Sequence, residues 1–335
     1  MKIVITGSLG HISLPLTKEL VQKGHNVTVI SSKPEKQAAI EALGATAAFG
    51  VMEDADFLTA AFTGADAVYT MIMAGNYFDP NFDLMAEGRK LANNYAQAIQ
   101  RSGVKRVVHL SSIGAHMDKG NGILASYHNI EAILSALPSD VAITFMRPVG
   151  FYYNLYAFVP LIKAQGVIAS NYGENDKEPW VSPIDIAAAV AEEIVKPFEG
   201  RKIRYVASDE LTGNEVAAIL GAAIGKPGLK WVIIPGEQVL NGMIAAGMNP
   251  TVAAGLVEMN ASRRTVLYED YYRNQPVLGK VKMTDFAKEF AKQKGYKLVL
   301  TYSKTAPGVL YVDPSLDVTE DAVKMLNDAY TKDKK

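Results

Sequence analysis

KIVITGSLGHIS, residues 2–13, is a short apolar run, two glycines three apart, and the start of a helical pattern. Residues 2–6 read as a buried strand, and residues 14–23, with Leu16, Leu20 and Val21 on one face, as the helix after it. A Gly-rich turn between strand and helix lets backbone N–H groups approach a pyrophosphate, and the helix N-terminus favours its charge. Gly7 permits the tight turn and Gly10 the close approach, with Ser8, Leu9, His11 and Ile12 supplying the backbone around them. Ser13 stands where a third glycine is expected, and it is small enough to let helix and strand meet. A turn that merely holds two glycines would look the same, so the context must come from the rest of the chain.

The alternation continues to residue 150. Strands are expected at 26–30, 46–49, 67–71, 106–111 and 141–147. Helices are expected at 34–43, 55–62, 81–102 and 123–137. This rhythm predicts the α/β class: a doubly wound, mainly parallel sheet in three layers that binds ligands at the carboxyl ends of its strands. After Pro148 the rhythm changes. Loops at 150–154 and 171–176, helices at 184–195, 215–224 and 239–246, and a strand at 201–207 predict a smaller cap on the substrate side. The expected division is a dinucleotide-binding domain over 1–150, a cap interleaved with it over 151–290, and an appendage over 291–335.

Composition narrows the function. The 335 residues carry 34 basic and 35 acidic side chains, net −1, which favours neither nucleic acid nor anionic membrane. Hydrophobic residues make up 49% and charged residues 21%, an ordinary globular balance. There is no cysteine, which excludes disulfides, thiolate metal sites and a cysteine nucleophile. No apolar run approaches the roughly 20 residues that span a bilayer. The first residues are too short an apolar run for a signal peptide, so a cytoplasmic protein is the expectation.

The second strand ends in Ser31-Ser32-Lys33, where an NAD site usually places an acidic residue for the ribose 2′-hydroxyl. Two hydroxyls and a cation, with Lys36 nearby, suit a 2′-phosphate better. NADP(H) is therefore preferred, with NAD(H) still open; a solvated helix start would also explain the two lysines. Met71 closes the fourth strand, and Ser111 and Ser112 close the fifth, at the same edge. Tyr127, on the next helix, can exchange a proton beside a nicotinamide. Glu131 holds the position where a lysine would lower the phenol pKa, and a carboxylate there would raise it. Tyr127 is thus expected as a donor rather than a base, unless it only packs. His109, His116 and His128 lack the spacing of a metal site, and no metal is expected. Pro148, Val149 and Gly150 should pass the nicotinamide. Phe151, Tyr152, Tyr153 and Asn154 should then form an aromatic wall for a flat small molecule, although a core cluster would look alike.

TGSLGHIS, SSK, SSIGA at 111–115, YHNIE at 127–131, MRPVGFYYNL at 146–155, SPIDIA at 182–187 and DFAKEFA at 285–291 together resemble the NmrA-like family. These are atypical members of the short-chain dehydrogenase/reductase group, and the likeness covers about residues 1–290. It implies a Rossmann fold and NADP(H) or NAD(H) held by residues 7–13. The family contains reductases, some acting on quinone-like compounds, and redox-sensing regulators. Ser13, Glu131, and Val51 (where many relatives carry Asp after Gly50) depart from the commoner patterns. Two roles follow: hydride transfer from NADPH to a flat conjugated acceptor such as a quinone, or non-catalytic NADP(H) sensing.

The segment from 291 is unlike that family. KGYKLVL at 294–300 and GVLYVDPSLDVT at 308–319 resemble the C-terminal end of OmpH/Skp-like periplasmic chaperones. Read physically, 297–302 and 309–312 are two strands with Ala306-Pro307-Gly308 in the turn, and Asp317 or Thr319 caps a helix through Leu326. A lone hairpin is marginal, so it should pack on the main domain or on a second copy, making a homo-oligomer.

Overall fold

The computed structural model describes residues 1–72, 75–197 and 199–293, with the backbone of two further strands at 298–301 and 308–312. The first half runs β1 (Lys2–Ile5), α1 (Ser13–Gln22), β2 (Asn26–Ser31), α2 (Gln37–Glu41), β3 (Thr46–Phe49) and α3 (Ala55–Phe62). It continues with β4 (Ala67–Met71), α4 (Leu84–Ser102), β5 (Arg106–Leu110), α5 (Ala125–Ser135) and β6 (Ala142–Pro148). The second half begins β7 (Gly150–Phe151), α6 (Val159–Gln165), β8 (Val167–Ser170), β9 (Lys177–Val181), α7 (Pro183–Val195) and β10 (Arg201–Val206). Then come β11 (Asp209–Thr212), α8 (Gly213–Ala223), β12 (Lys230–Ile233), α9 (Gly236–Ala245) and α10 (Pro250–Ser262). The last elements are α11 (Glu269–Asn274), α12 (Met283–Gln293), β13 (Leu298–Thr301) and β14 (Gly308–Val312).

Seven parallel strands form the main sheet in the order β10-β6-β5-β4-β1-β2-β3. Both faces are covered, so the strands are nearly continuous apolar runs. Ile3 and Ile5 face α1, α2 and α7, packing with Leu16, Leu20, Ile40 and Val190. Val4 and Val68 face α3, α4 and α5, packing with Phe62, Tyr95, Ile99 and Leu134. That is the period-two alternation of a strand buried on both sides. The order reverses between β1 and β4, and the crevice at their carboxyl ends is where such sheets take ligands.

The expected elements of the first half are present with shifted ends. The helix expected from 81 starts at Leu84, because Asn81 N–H bonds the Asp79 carboxylate at 2.9 Å and Asp83 caps the first turn. The helices expected from 34 and 123 each begin as a short 3-10 turn. The strand expected at 201–207 joins the main sheet beside β6, and α7 packs on α1, so both belong structurally to the first layer system. The loop expected at 150–154 is instead β7 followed by a 3-10 segment, Tyr152–Phe158.

The cap has its own core. β9 pairs with β7 and β11, and β8 with β12. Trp180, Trp231, Tyr152, Leu220 and Phe290 pack between them. β13 and β14 form an antiparallel hairpin against α8 and α12, with Gly308 opposite Thr301 and so in a strand rather than the turn. The closing helix expected at 317–326 lies outside the described residues. Among the described residues, no helix is long and apolar enough to cross a membrane.

Candidate active site

The turn after β1 sits at the strand-order reversal. Gly7 has φ +88°, and a Cβ there would lie 2.6 Å from the Met71 Sδ and 2.7 Å from the Ser13 Oγ. Only glycine fits. Ser8 follows at φ +53°, a conformation that costs a non-glycine residue energy. Two bonds hold it: its N–H donates to the Ile30 carbonyl at 3.1 Å and its hydroxyl to the Ser31 Oγ at 2.9 Å. Gly10 N–H closes the turn on the Gly7 carbonyl, 3.1 Å. Ser13 does more than take a glycine's place: its hydroxyl donates to the Thr6 carbonyl at 2.8 Å and ties α1 to β1. The first turn of α1 has no side-chain cap and no acidic residue. It therefore presents amides and positive dipole to an anion, with His11 exposed beside it.

Sequence reasoning grouped Ser31, Ser32 and Lys33 as cofactor ligands. The structure separates them. Ser31 is 2% exposed, and its hydroxyl receives Ser8 and the Lys33 N–H (3.1 Å), so it braces the turn. Ser32, Lys33 and Lys36 are exposed just beyond the carboxyl end of β2. Gly50 N–H bonds the Ser31 carbonyl at 3.1 Å, and Val51 next to it is exposed.

On the other side, Ile113 N–H bonds the Pro148 carbonyl at 2.9 Å and Val149 N–H the Val206 carbonyl at 3.2 Å. Pro148, Val149 and Gly150 thus form a stiff buried edge. The expected wall of four consecutive residues becomes a wall of alternate ones. Phe151 and Tyr153 have ring centroids 5.0 Å apart, and Tyr153 stacks on His11 at 4.9 Å and 27°. That stack joins the wall to the glycine turn. Tyr152 points the other way: it is fully buried in the cap core, and its hydroxyl donates to Asp209 at 2.8 Å. Asn154 is exposed and outside the wall.

The expectation for Glu131 needs correction. Its carboxylate is not directed at Tyr127. It takes a bidentate bond from Arg147 (Nε to Oε1 2.9 Å, Nη2 to Oε2 2.6 Å) and accepts the Ser111 hydroxyl at 2.5 Å. Ser111 is therefore occupied by Glu131, while Ser112 remains partly exposed. Arg147 also donates to the Tyr205 hydroxyl at 3.0 Å and lies 3.5 Å from Asp270 on α11; Tyr205 bonds Asp270 in turn. Tyr127 is half-buried, and among the described residues no protein group bonds its hydroxyl. Burial, with the phenols of Tyr77 and Tyr153 nearby, pushes its pKa well up. Tyr153 is pushed up to about 12 by burial and the Tyr77 phenol. These neutral phenols can donate hydrogen bonds and are poor bases.

The histidines stand on three separate elements. His109 is fully buried, with Nδ1 2.9 Å from the Thr70 hydroxyl, and His128 Nδ1 lies 3.1 Å from the Ala115 carbonyl. Sequence reasoning missed Tyr77, because its role depends on a loop folding back. It also missed the Arg147–Glu131 pair, for which there was a signal: a cation closing a buried strand needs an anion.

Comparison with known proteins agrees with the fold. Residues 1–299 match the NmrA-like family. The chain belongs to that family. It is 26% identical over 264 residues to an NAD(P)H azoreductase of Xenophilus azovorans, covering 77% of this chain and 86% of that one. In fold it is similar to triphenylmethane reductase of Citrobacter sp. (TM-score 0.70, 17% identity, 87% of this chain and 100% of that one). It is also similar to the NADPH-dependent quinone oxidoreductase of Escherichia coli in complex with NADPH (TM-score 0.65, 18% identity, 86% and 99%). As an NmrA-like protein, this chain carries the family match to residue 299, into the start of β13 and beyond the last quoted motif at 285–291.

Proposed function

We propose that this NmrA-like protein is an NADP(H)-dependent oxidoreductase that reduces a flat conjugated acceptor such as a quinone. One observation carries the reading: the His11–Tyr153–Phe151 stack sets an aromatic wall directly beside the uncapped glycine turn. The residues fit a pyridine dinucleotide. The tight turn that Gly7 makes brings the uncapped α1 amides to where a diphosphate would bind, and Ser32 and Lys33 are exposed for a 2′-phosphate. The azoreductase, triphenylmethane reductase and quinone oxidoreductase relatives, by their names, act on conjugated acceptors.

Bound there, the dinucleotide supplies a hydride, which is two electrons and one proton. The protein's own groups do the rest. The Pro148–Gly150 edge orients, the aromatic wall aligns the acceptor, and the Tyr127 phenol or water delivers the second proton. Catalysis of this kind rests on holding the reacting atoms within about 3–3.5 Å, and it needs no strong protein base. Glu131 was the residue that favoured a purely sensing role, and its charge is engaged by Arg147.

The test is a titration of NADPH, NADP+ and NADH, followed by NADPH oxidation with a panel of quinones. Binding with turnover is expected. No affinity for any pyridine dinucleotide sinks the proposal, and tight binding without turnover across the panel supports sensing instead. Lys33→Ala should weaken NADPH by about tenfold, one charge-assisted contact, and NADH little. Equal losses for both remove the 2′-phosphate assignment.

A further inference from the structure

The loop between β4 and α4 carries Tyr77, half-buried and close enough to Tyr127 and Tyr153 for its phenol to add to the burial that raises their pKa values. It folds through two turns, with Asp79 N–H on the Asn76 carbonyl and Phe82 N–H on the Asp79 carbonyl, both 3.1 Å. Its carbonyls converge on one residue far along the chain. Asn249 Nδ2 donates to the carbonyls of Asp79, Pro80 and Phe82 at 3.0, 3.1 and 3.3 Å. Its backbone N–H donates to the Tyr77 carbonyl at 2.8 Å. The other end of the same amide caps α10: Oδ1 accepts the N–H groups of Thr251 at 2.9 Å and Val252 at 3.3 Å. Asn249 is 6% exposed.

The chemistry demands this residue type. One end faces two donors and the other faces three acceptors, so the amide cannot be turned over without setting like against like. Aspartate can cap the helix and cannot donate to the loop. Serine can cap and is too short to reach. The helix that Asn249 starts is itself anchored elsewhere. A Cβ on Gly122 would lie 1.8 Å from the Gly255 carbonyl oxygen, and Asn171 Nδ2 bonds the Val257 carbonyl at 3.0 Å. A firmly seated helix thus holds a loop that has few anchors of its own.

We propose that Asn249 is a positioning residue of the acceptor site: it fixes where Tyr77 stands opposite Tyr127 and Tyr153. The proposal rests on reading the space beside those phenols as the acceptor site. It predicts an effect on acceptor affinity with none on the dinucleotide, whose turn lies on α1.

The experiment compares Asn249→Ser and Asn249→Asp with the unaltered full chain. Hydrogen exchange is read over 75–83 and over 250–262, which needs no substrate. Loss of the shared donor contacts should speed exchange at Asp79 and Phe82 by about tenfold or more, while the α10 first turn stays within about twofold. With a quinone that the unaltered protein reduces, KM should rise by about fivefold or more, and the NADPH Kd should stay within about twofold. Unchanged loop exchange in both variants overturns the proposal. So does a released loop with an unchanged KM. If the unaltered protein reduces no acceptor, the oxidoreductase reading and this site role fall, whereas the loop's dependence on Asn249 is still read by exchange.

Discussion

Glu131→Gln tests whether the buried Glu131–Arg147 pair holds the site edge together. The side chains are 10% and 5% exposed, so solvent screens them little, and the contact is bidentate at 2.6 and 2.9 Å. Removing one charge from such a pair typically costs about 3–5 kcal/mol, because the other is left buried without compensation. Asp270, 3.5 Å from Arg147, keeps part of that compensation, and glutamine can still accept from Ser111. The lower end, about 3 kcal/mol, is therefore expected, or a fall in Tm of about 4 °C for a chain of this length. Urea unfolding at neutral pH measures it. The cycle with Arg147→Met is the sharper assay. The double variant should be less destabilised than the sum of the singles by about 2 kcal/mol or more, since both charges are then gone. A single-variant loss below about 1 kcal/mol, or strict additivity, refutes the account.

Three further outcomes follow from named contacts. Gly7→Ala forces a Cβ into the Met71 sulfur at φ +88° and should weaken NADPH binding by about tenfold or more; an unchanged Kd removes the turn from the site. Tyr127→Phe should lower kcat about tenfold with the NADPH Kd unchanged, whereas an unchanged kcat for every acceptor assigns Tyr127 to packing alone. Burial holds the His109 pKa down at about 3. The unfolded chain takes its proton near pH 6.5 and the folded one only far below. Stability on this account is fully present above that pH, is lost as pH falls, and is down by about 3 kcal/mol at about pH 4.5. His109→Gln should flatten the slope in urea unfolding between about pH 6 and 4.5, and parallel slopes would show that other groups dominate.

The layered sheet was legible in the residues because its signals are local. Strands such as KIVI at 2–5 and AVYTM at 67–71 are mostly apolar, and amphipathic helices separate them. The glycine turn was legible for the same reason, since a tight βα turn is written within a dozen consecutive residues. Ser13 was readable as small, though not as the hydroxyl that ties α1 to β1.

The cap's helices at 215–224 and 239–246 were legible and match α8 and α9, whereas its sheet pairing was not. Its strands are two to five residues long and gain their pairing from distant partners, as Gly150 with Trp180 and Lys230 with Val167. Nor could spacing tell that Glu131, one turn from Tyr127, turns to Arg147 instead. Helical periodicity fixes a face and leaves the direction of a side chain to whichever counter-charge folding brings near. The sequence alone thus determined the sheet, its order of alternation and the glycine turn, all products of short-range pattern. Tertiary packing decided that Ser31 braces the glycine turn, that Tyr152 leaves the wall, and that Asn249 meets the Tyr77 loop from 167–170 positions away. Such contacts have no local signature, because their geometry exists only once both partners are already in place.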